Sequence, residues 1–233
     1  MAFRCDSSGQ ALGLENTEDA NKAKLAIAAE STVAMLGHLQ AGDRFGMVLF
    51  TTDAYLAKPL SKVEETDMTP IGNHILALTA LDNTNMEAGY KMGAGMLAEL
   101  GQVDSAVYEN RIILLTDAMP NTGDTSAESL SGMVASSADA RIFTTFIGIG
   151  VDFNTSLIEL LTKTKGANYY SVHGSKEFKQ RMDDEFDFMV TPLVFDLRLS
   201  LQSQNFAVKK SASLSDASEM KYEKNLLPRR RFS

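Results

Sequence analysis

The sequence predicts an α/β domain: a doubly wound, mostly parallel sheet with helices on both faces. Three observations carry that prediction. Apolar runs of strand length occur at Phe45-Gly46-Met47-Val48-Leu49-Phe50, at Ile112-Ile113-Leu114-Leu115 and across residues 142–149. They show no polar alternation, as expected of strands covered on both faces. Segments with apolar residues at steps of three and four separate them, which is the spacing of a helix with one buried face. Strand and helix alternate along the chain, the pattern of βαβ units.

Taken in order, residues 22–39 read as a helix through Leu25, Ala28, Ala29, Thr32, Val33, Leu36 and Leu39. Gly42 and Asp43 turn the chain into the first strong strand, and residues 54–60 form a second, short one containing Pro59. Residues 66–78 form a helix. Another, over residues 85–100, follows from Met86, Gly89, Met92, Gly93 and Met96. Residues 111–117 are the clearest strand. A helix over 126–138, a strand over 142–149 and a helix over 155–163 capped by Asn154 come next. Residues 168–172 are a strand, and Ser175 opens a helix that runs to Met189. The domain therefore spans 22–191. Residues 193–201 alternate with period two, the start of a β-rich extension over 192–208. Residues 209–233 are expected to be a disordered basic tail.

Composition excludes several function classes. The 233 residues carry 22 Lys and Arg against 30 Asp and Glu, a net charge of −8. Seven of the bases and only three of the acids fall in residues 209–233, so the body is more acidic still. Nucleic acid demands clustered positive charge, and this body has the opposite sign. A single cysteine, Cys5, forbids an intrachain disulfide and a four-thiolate zinc site. No stretch reaches the roughly 18 uncharged apolar residues of a membrane span. Gly148-Ile149-Gly150 lacks the third glycine of a dinucleotide loop, and there is no Gly-Lys-Ser/Thr phosphate loop. His38, His74 and His173 are dispersed. Asp183, Asp184, Glu185 and Asp187 interleave with Phe178, Met182, Phe186 and Met189, which describes an amphipathic helix with a solvated acidic face. Met86, Met92 and Met96 are read as core packing.

In open α/β sheets, ligands bind beyond the carboxyl ends of the strands. Asp117 ends the clearest strand and precedes the turn-rich Pro120-Asn121-Thr122-Gly123. Thr84 lies in Leu81-Asp82-Asn83-Thr84-Asn85, just before a helix. Carboxylate and hydroxyl are hard oxygen donors, suited to Mg²⁺, Mn²⁺ or Ca²⁺ rather than zinc. The structural alternatives are a helix cap for Thr84 and a turn-forming side chain for Asp117.

Gly42-Asp43-Arg44-Phe45-Gly46-Met47-Val48-Leu49-Phe50, then Asn83-Thr84-Asn85-Met86-Glu87-Ala88-Gly89, then residues 111–117 with Pro120-Asn121-Thr122-Gly123 together resemble the von Willebrand factor A domain. The resemblance implies a six-stranded Rossmann-like sheet with a metal-ion-dependent adhesion site at its top. In that family the site takes an Asp-x-Ser-x-Ser from the first strand, a Thr from a middle loop and an Asp after the fourth strand. Thr84 and Asp117 match the last two. The ion keeps one position open for a carboxylate of a partner protein, which implies a protein-interaction module and not an enzyme. The nearest first motif is Asp6-Ser7-Ser8-Gly9-Gln10, with Asp6 and Ser8 as reserve ligands, and the run before it contains Arg4. A central strand covered on both faces should not carry an unpaired cation in mid-run. The expectation is therefore a chain that begins downstream of the first strand, with residues 1–21 an irregular loop or insertion and the metal site incomplete. Two other functions compete. One is a Mg²⁺-dependent hydrolase or phosphotransferase using Asp117; the other is a structural fragment that binds no metal.

Overall fold

A computed structural model describes residues 2–4, 24–79, 83–101, 107–116, 120–149, 155–172, 175–190 and 231–232. The strands are β1 (Ala2–Arg4), β2 (Arg44–Phe50), β3 (Ala54–Lys62), β4 (Tyr108–Thr116), β5 (Ile142–Ile149), β6 (Asn168–Val172) and β7 (Arg231–Phe232). The helices are α1 (Lys24–Leu36), α2 (Met68–Leu76), α3 (Met86–Ala98), α4 (Ala127–Asp139), α5 (Thr155–Leu161) and α6 (Ser175–Val190). The sheet order is β3-β2-β1-β4-β5-β6, with β7 on β4. Every pairing is parallel except that of β2 with β3. The chain winds outward from β1 to β3 on one side, then returns and winds from β4 to β6 on the other. Strand order thus reverses between β1 and β4.

The sheet separates two apolar layers. On one face Phe45, Met47, Leu115, Ile147 and Val172 pack with Ile27, Met35, Ile75, Phe178, Phe186 and Met189, so α1, α2 and α6 cover it. On the other, Val48, Phe50, Ile112, Leu114 and Phe146 pack with Met86, Tyr90, Leu130, Val134 and Leu157 from α3, α4 and α5. All eight residues of β5 are buried, as an uninterrupted apolar run in a covered parallel sheet requires. Helix α3 approaches β2 closely because Gly89 has no side chain; a Cβ there would lie 2.6 Å from the Phe50 ring.

Two expectations are corrected. The central strand is present, since Ala2–Arg4 pairs with Val48, Leu49 and Phe50 on one side and with Leu114 and Leu115 on the other. Arg4 does not interrupt it, being the last residue of a three-residue strand, at its carboxyl end. Within the tail expected to be disordered, Arg231–Phe232 forms β7, paired with Tyr108 and Glu109 of β4. The rest of 192–230, the proposed cap Asn154 and His173 lie outside the described residues.

Candidate metal site at the crest of the sheet

The carboxyl ends of β1, β2 and β4 rise together beside the switch point, and three loops meet there. After β2, Thr51 N–H donates to the Asp53 carbonyl (2.8 Å), closing a tight turn. The loop before α3 is fastened to this turn: Asn85 N–H donates to the Thr51 carbonyl (2.6 Å), the Asn85 amide to the Thr52 carbonyl (2.9 Å), and the Asn83 amide to Thr52 Oγ1 (2.9 Å). Asn83 adopts a left-handed φ of 72°, a conformation Asn tolerates better than most residues.

The third loop follows β4. Asn121 Oδ1 accepts from Thr84 N–H (2.7 Å), and the Thr84 carbonyl accepts from the N–H groups of Asn121 (3.1 Å) and Thr122 (3.3 Å). Gly123, with φ 74°, lies so close to Asn85 that a Cβ would collide with its side-chain oxygen. Farther out, Glu87 Oε2 accepts from Asp124 N–H (2.7 Å) while its other oxygen meets Lys91 Nζ (2.6 Å). The ammonium, and after it the backbone N–H, hold the Glu87 carboxyl below its usual range. The bonds from Ser126 do the same for Asp124.

Thr84 sits at the centre of this clasp with no solvent exposure. Its backbone is satisfied by Asn121 and Thr122, yet its Oγ1 is buried and has no hydrogen-bond partner. It is not the cap of α3. That role falls to Asn85, whose side chain accepts from Ala88 N–H (3.0 Å). Asp117 lies outside the described residues, as do Asp6 and Ser8; β4 ends at Thr116, and the loop resumes at Pro120, one residue before Asn121. Among the described residues there is no group of three or more His, Cys, Asp or Glu that could hold a metal ion.

Sequence reasoning missed Asn121, which locks Thr84 in place from 37 residues away. It also missed His38, which pairs with Asp183 (3.1 Å) and stacks on Phe186 between α1 and α6. Neither contact follows from spacing. The remaining acids of α6 behave as the periodicity predicts: Asp184 and Asp187 are exposed, while Phe178, Phe186 and Met189 are buried.

This strand order, with two helical layers and a crest of loops at the switch point, is the fold of a von Willebrand factor A domain. No protein-family model matches the sequence. Among curated proteins, the chain is 24% identical over 174 residues to human inter-alpha-trypsin inhibitor heavy chain H4, covering 71% of this chain and 18% of that one. The chain thus spans about a fifth of the length of the curated relatives it matches. Solved structures share its fold, among them the three that follow. An aerotolerance-related membrane protein from Bacteroides fragilis superposes with a TM-score of 0.61 at 16% identity, over 81% of this chain and 97% of that one. A von Willebrand factor type A protein from Catenulispora acidiphila gives 0.58 at 17%, over 80% and 42%. The manganese-loaded TRAP protein of Plasmodium vivax gives 0.55 at 14%, over 78% and 69%.

Proposed function

We propose that this domain is a protein-interaction module that captures an acidic side chain of a partner protein through one divalent cation, Mg²⁺, Mn²⁺ or Ca²⁺. Thr84 and Asp117 would hold the ion, with Asp6 and Ser8 as further oxygen donors. The observation that carries this reading is the Thr84 hydroxyl: buried, rigidly placed and without a protein partner. Such a group costs about 1–3 kcal/mol when nothing meets it. A threonine therefore makes physical sense at this position if a ligand completes it.

The chain's own contribution is placement. Asn121 fixes the Thr84 backbone, and Asp117 precedes Asn121 by four residues in the sequence, which supports reading the two donors together. Hydroxyl and carboxylate oxygens match a hard cation. When bound, the ion supplies a Lewis-acidic position that a partner's carboxylate can fill. A similar fold is known loaded with manganese. No described feature favours the hydrolase reading.

The test is calorimetry with Mn²⁺ on the full chain and on Asp117→Ala, beside thermal melts in chelator. The variant should lose measurable Mn²⁺ binding while melting within a few degrees of the parent. Unchanged Mn²⁺ affinity in Asp117→Ala would overturn the assignment.

A further inference from the structure

If the crest holds a cation as proposed, a partner's carboxylate gives the ion one oxygen and keeps the other. That second oxygen needs a donor, since an ionised carboxylate only accepts hydrogen bonds. The three crest loops, residues 51–53, 83–85 and 120–124, contain no Lys or Arg. Lys91, farther out on α3, has its ammonium on Glu87 (2.6 Å). Asp53 and Asp124 are exposed acids on two of these loops, so the surroundings of the site repel a carboxylate. The donor must therefore be a neutral one.

Three asparagines stand at the crest, and two of them turn their amide nitrogens inward. Asn83 Nδ2 donates to Thr52 Oγ1 (2.9 Å), and Asn85 Nδ2 donates to the Thr52 carbonyl (2.9 Å). Asn121 is the reverse. Its Oδ1 accepts twice, from Thr84 N–H (2.7 Å) and from Thr122 Oγ1 (3.0 Å). A backbone N–H can only donate, so the amide atom facing it must be the oxygen. The amide nitrogen, bonded to the same carbon, is thereby held beside Thr84, and it donates to none of the described residues. The residue is exposed, so this nitrogen is open to a ligand from outside. It is also fixed in place. The Asn121 backbone N–H is tied to the Thr84 carbonyl (3.1 Å), and Gly123 presses on Asn85 two residues further along. A donor held this firmly loses little freedom when a ligand meets it.

We propose that Asn121 selects the partner's side chain: its Nδ2 donates to the carboxylate oxygen that the ion leaves unbound. This rests on the cation reading of the crest and extends it from the ion to the ligand, with Thr84 placing the one and Asn121 recognising the other. The pairing discriminates by chemistry. A carboxylate accepts at both oxygens, whereas the carboxamide of Gln or Asn has one oxygen for the ion and then presents an NH₂ group to the NH₂ of Asn121. Glu and Asp of the partner are thus distinguished from Gln and Asn twice, at the ion by charge and at Asn121 by donor and acceptor.

The test is an NMR titration of the full, isotope-labelled chain in saturating Mg²⁺ with the capped peptide acetyl-Gly-Glu-Gly-amide, beside its Gly-Gln-Gly counterpart and a chelator control. The side-chain NH₂ signals of Asn121 should move with the Glu peptide at millimolar concentration. They should stay in place with the Gln peptide, and with either peptide in chelator. Asn121→Asp keeps the oxygen that holds Thr84 N–H and replaces only the nitrogen. That variant should bind the Glu peptide at least about tenfold more weakly, because a second carboxylate now faces it. It should bind Mn²⁺ more tightly in calorimetry, because it adds negative charge beside the ion. A merely structural Asn121 would instead lose both together. Unmoved NH₂ signals, undiminished peptide binding by Asn121→Asp, or joint loss of Mn²⁺ and peptide in that variant would overturn the proposal. Absence of Mn²⁺ binding by the parent chain is a separate result, which overturns the cation reading and this selection with it.

Discussion

At the scale of single residues, the crest is organised around an imbalance at Thr84. Its backbone makes three hydrogen bonds to the loop after β4, while its hydroxyl makes none. Buried polar atoms without partners are uncommon in folded proteins. Replacing this hydroxyl by a methyl group removes the imbalance without changing the side chain's shape. Thr84→Val should therefore keep the parent's stability in chelator or gain up to about 1 kcal/mol. It should also lose at least about tenfold in Mn²⁺ affinity, whereas Thr84→Ser retains it. Thermal melts and calorimetry read the two effects separately; a Val variant with parental Mn²⁺ affinity would remove Thr84 from the site. Glu87 gives a second prediction at this scale. Its carboxyl is held below the ordinary value of 4.5 by Lys91 and by Asp124 N–H. A depressed folded-state value means that the clasp is complete above that pH and weakens as pH falls through the lower, folded-state value. The Glu87 side-chain carboxyl signal in NMR should titrate below 4.5, and Lys91→Met should move that titration upward; an unmoved titration would show that Lys91 does not hold the carboxylate.

Among the elements, legibility in the sequence follows the source of the signal. Strands β5 and β6 fall on the predicted residues because unbroken apolar character or turn-bounded length defines them locally. Helix α3 was readable from its 3.6 period, although its cap proved to be Asn85 rather than Thr84. Strand β1 was not readable. Three residues ending in Arg4 carry no periodicity, and only the space between β2 and β4 makes them a strand. The candidate site divides in the same way. Thr84 could be singled out by its place before a helix, but its missing partner and the Asn121 lock depend on contacts between loops. The glycines of α3 show how one residue type serves two needs on one helix. Gly89 faces Phe50 with no room for a Cβ, while Gly93 faces open space. Gly89→Ala should cost about 1–3 kcal/mol by overpacking, a loss that exceeds the gain in helix propensity. Gly93→Ala meets no atom and should stabilise by about 0.5–1 kcal/mol. Chemical denaturation of both variants measures the contrast, and equal effects would show that α3 does not pack on β2 as described.

For the whole molecule, the consequential element is the shortest of the central strands. Among the described strands, β1 is the one that pairs with both halves of the sheet: β2 with β3 on one side, and β4 with β5 and β6 on the other. It contributes paired backbone to both, at the upper ends of β2 and β4 where the crest loops begin. Without it, two inner strand edges in the middle of the sheet lose their partners, and buried backbone groups left unpaired are costly. A typical domain has about 5–15 kcal/mol of net stability. Several lost backbone bonds together with an opened core consume much of that. Deleting residues 1–4 should therefore abolish the cooperative thermal transition seen by circular dichroism, increase the hydrodynamic size on gel filtration, and eliminate Mn²⁺ binding even though Thr84 and Asp117 are untouched. If the shortened chain instead melts cooperatively at the parent temperature, β1 does not tie the halves together, and the strand order through the centre of this sheet must be redrawn.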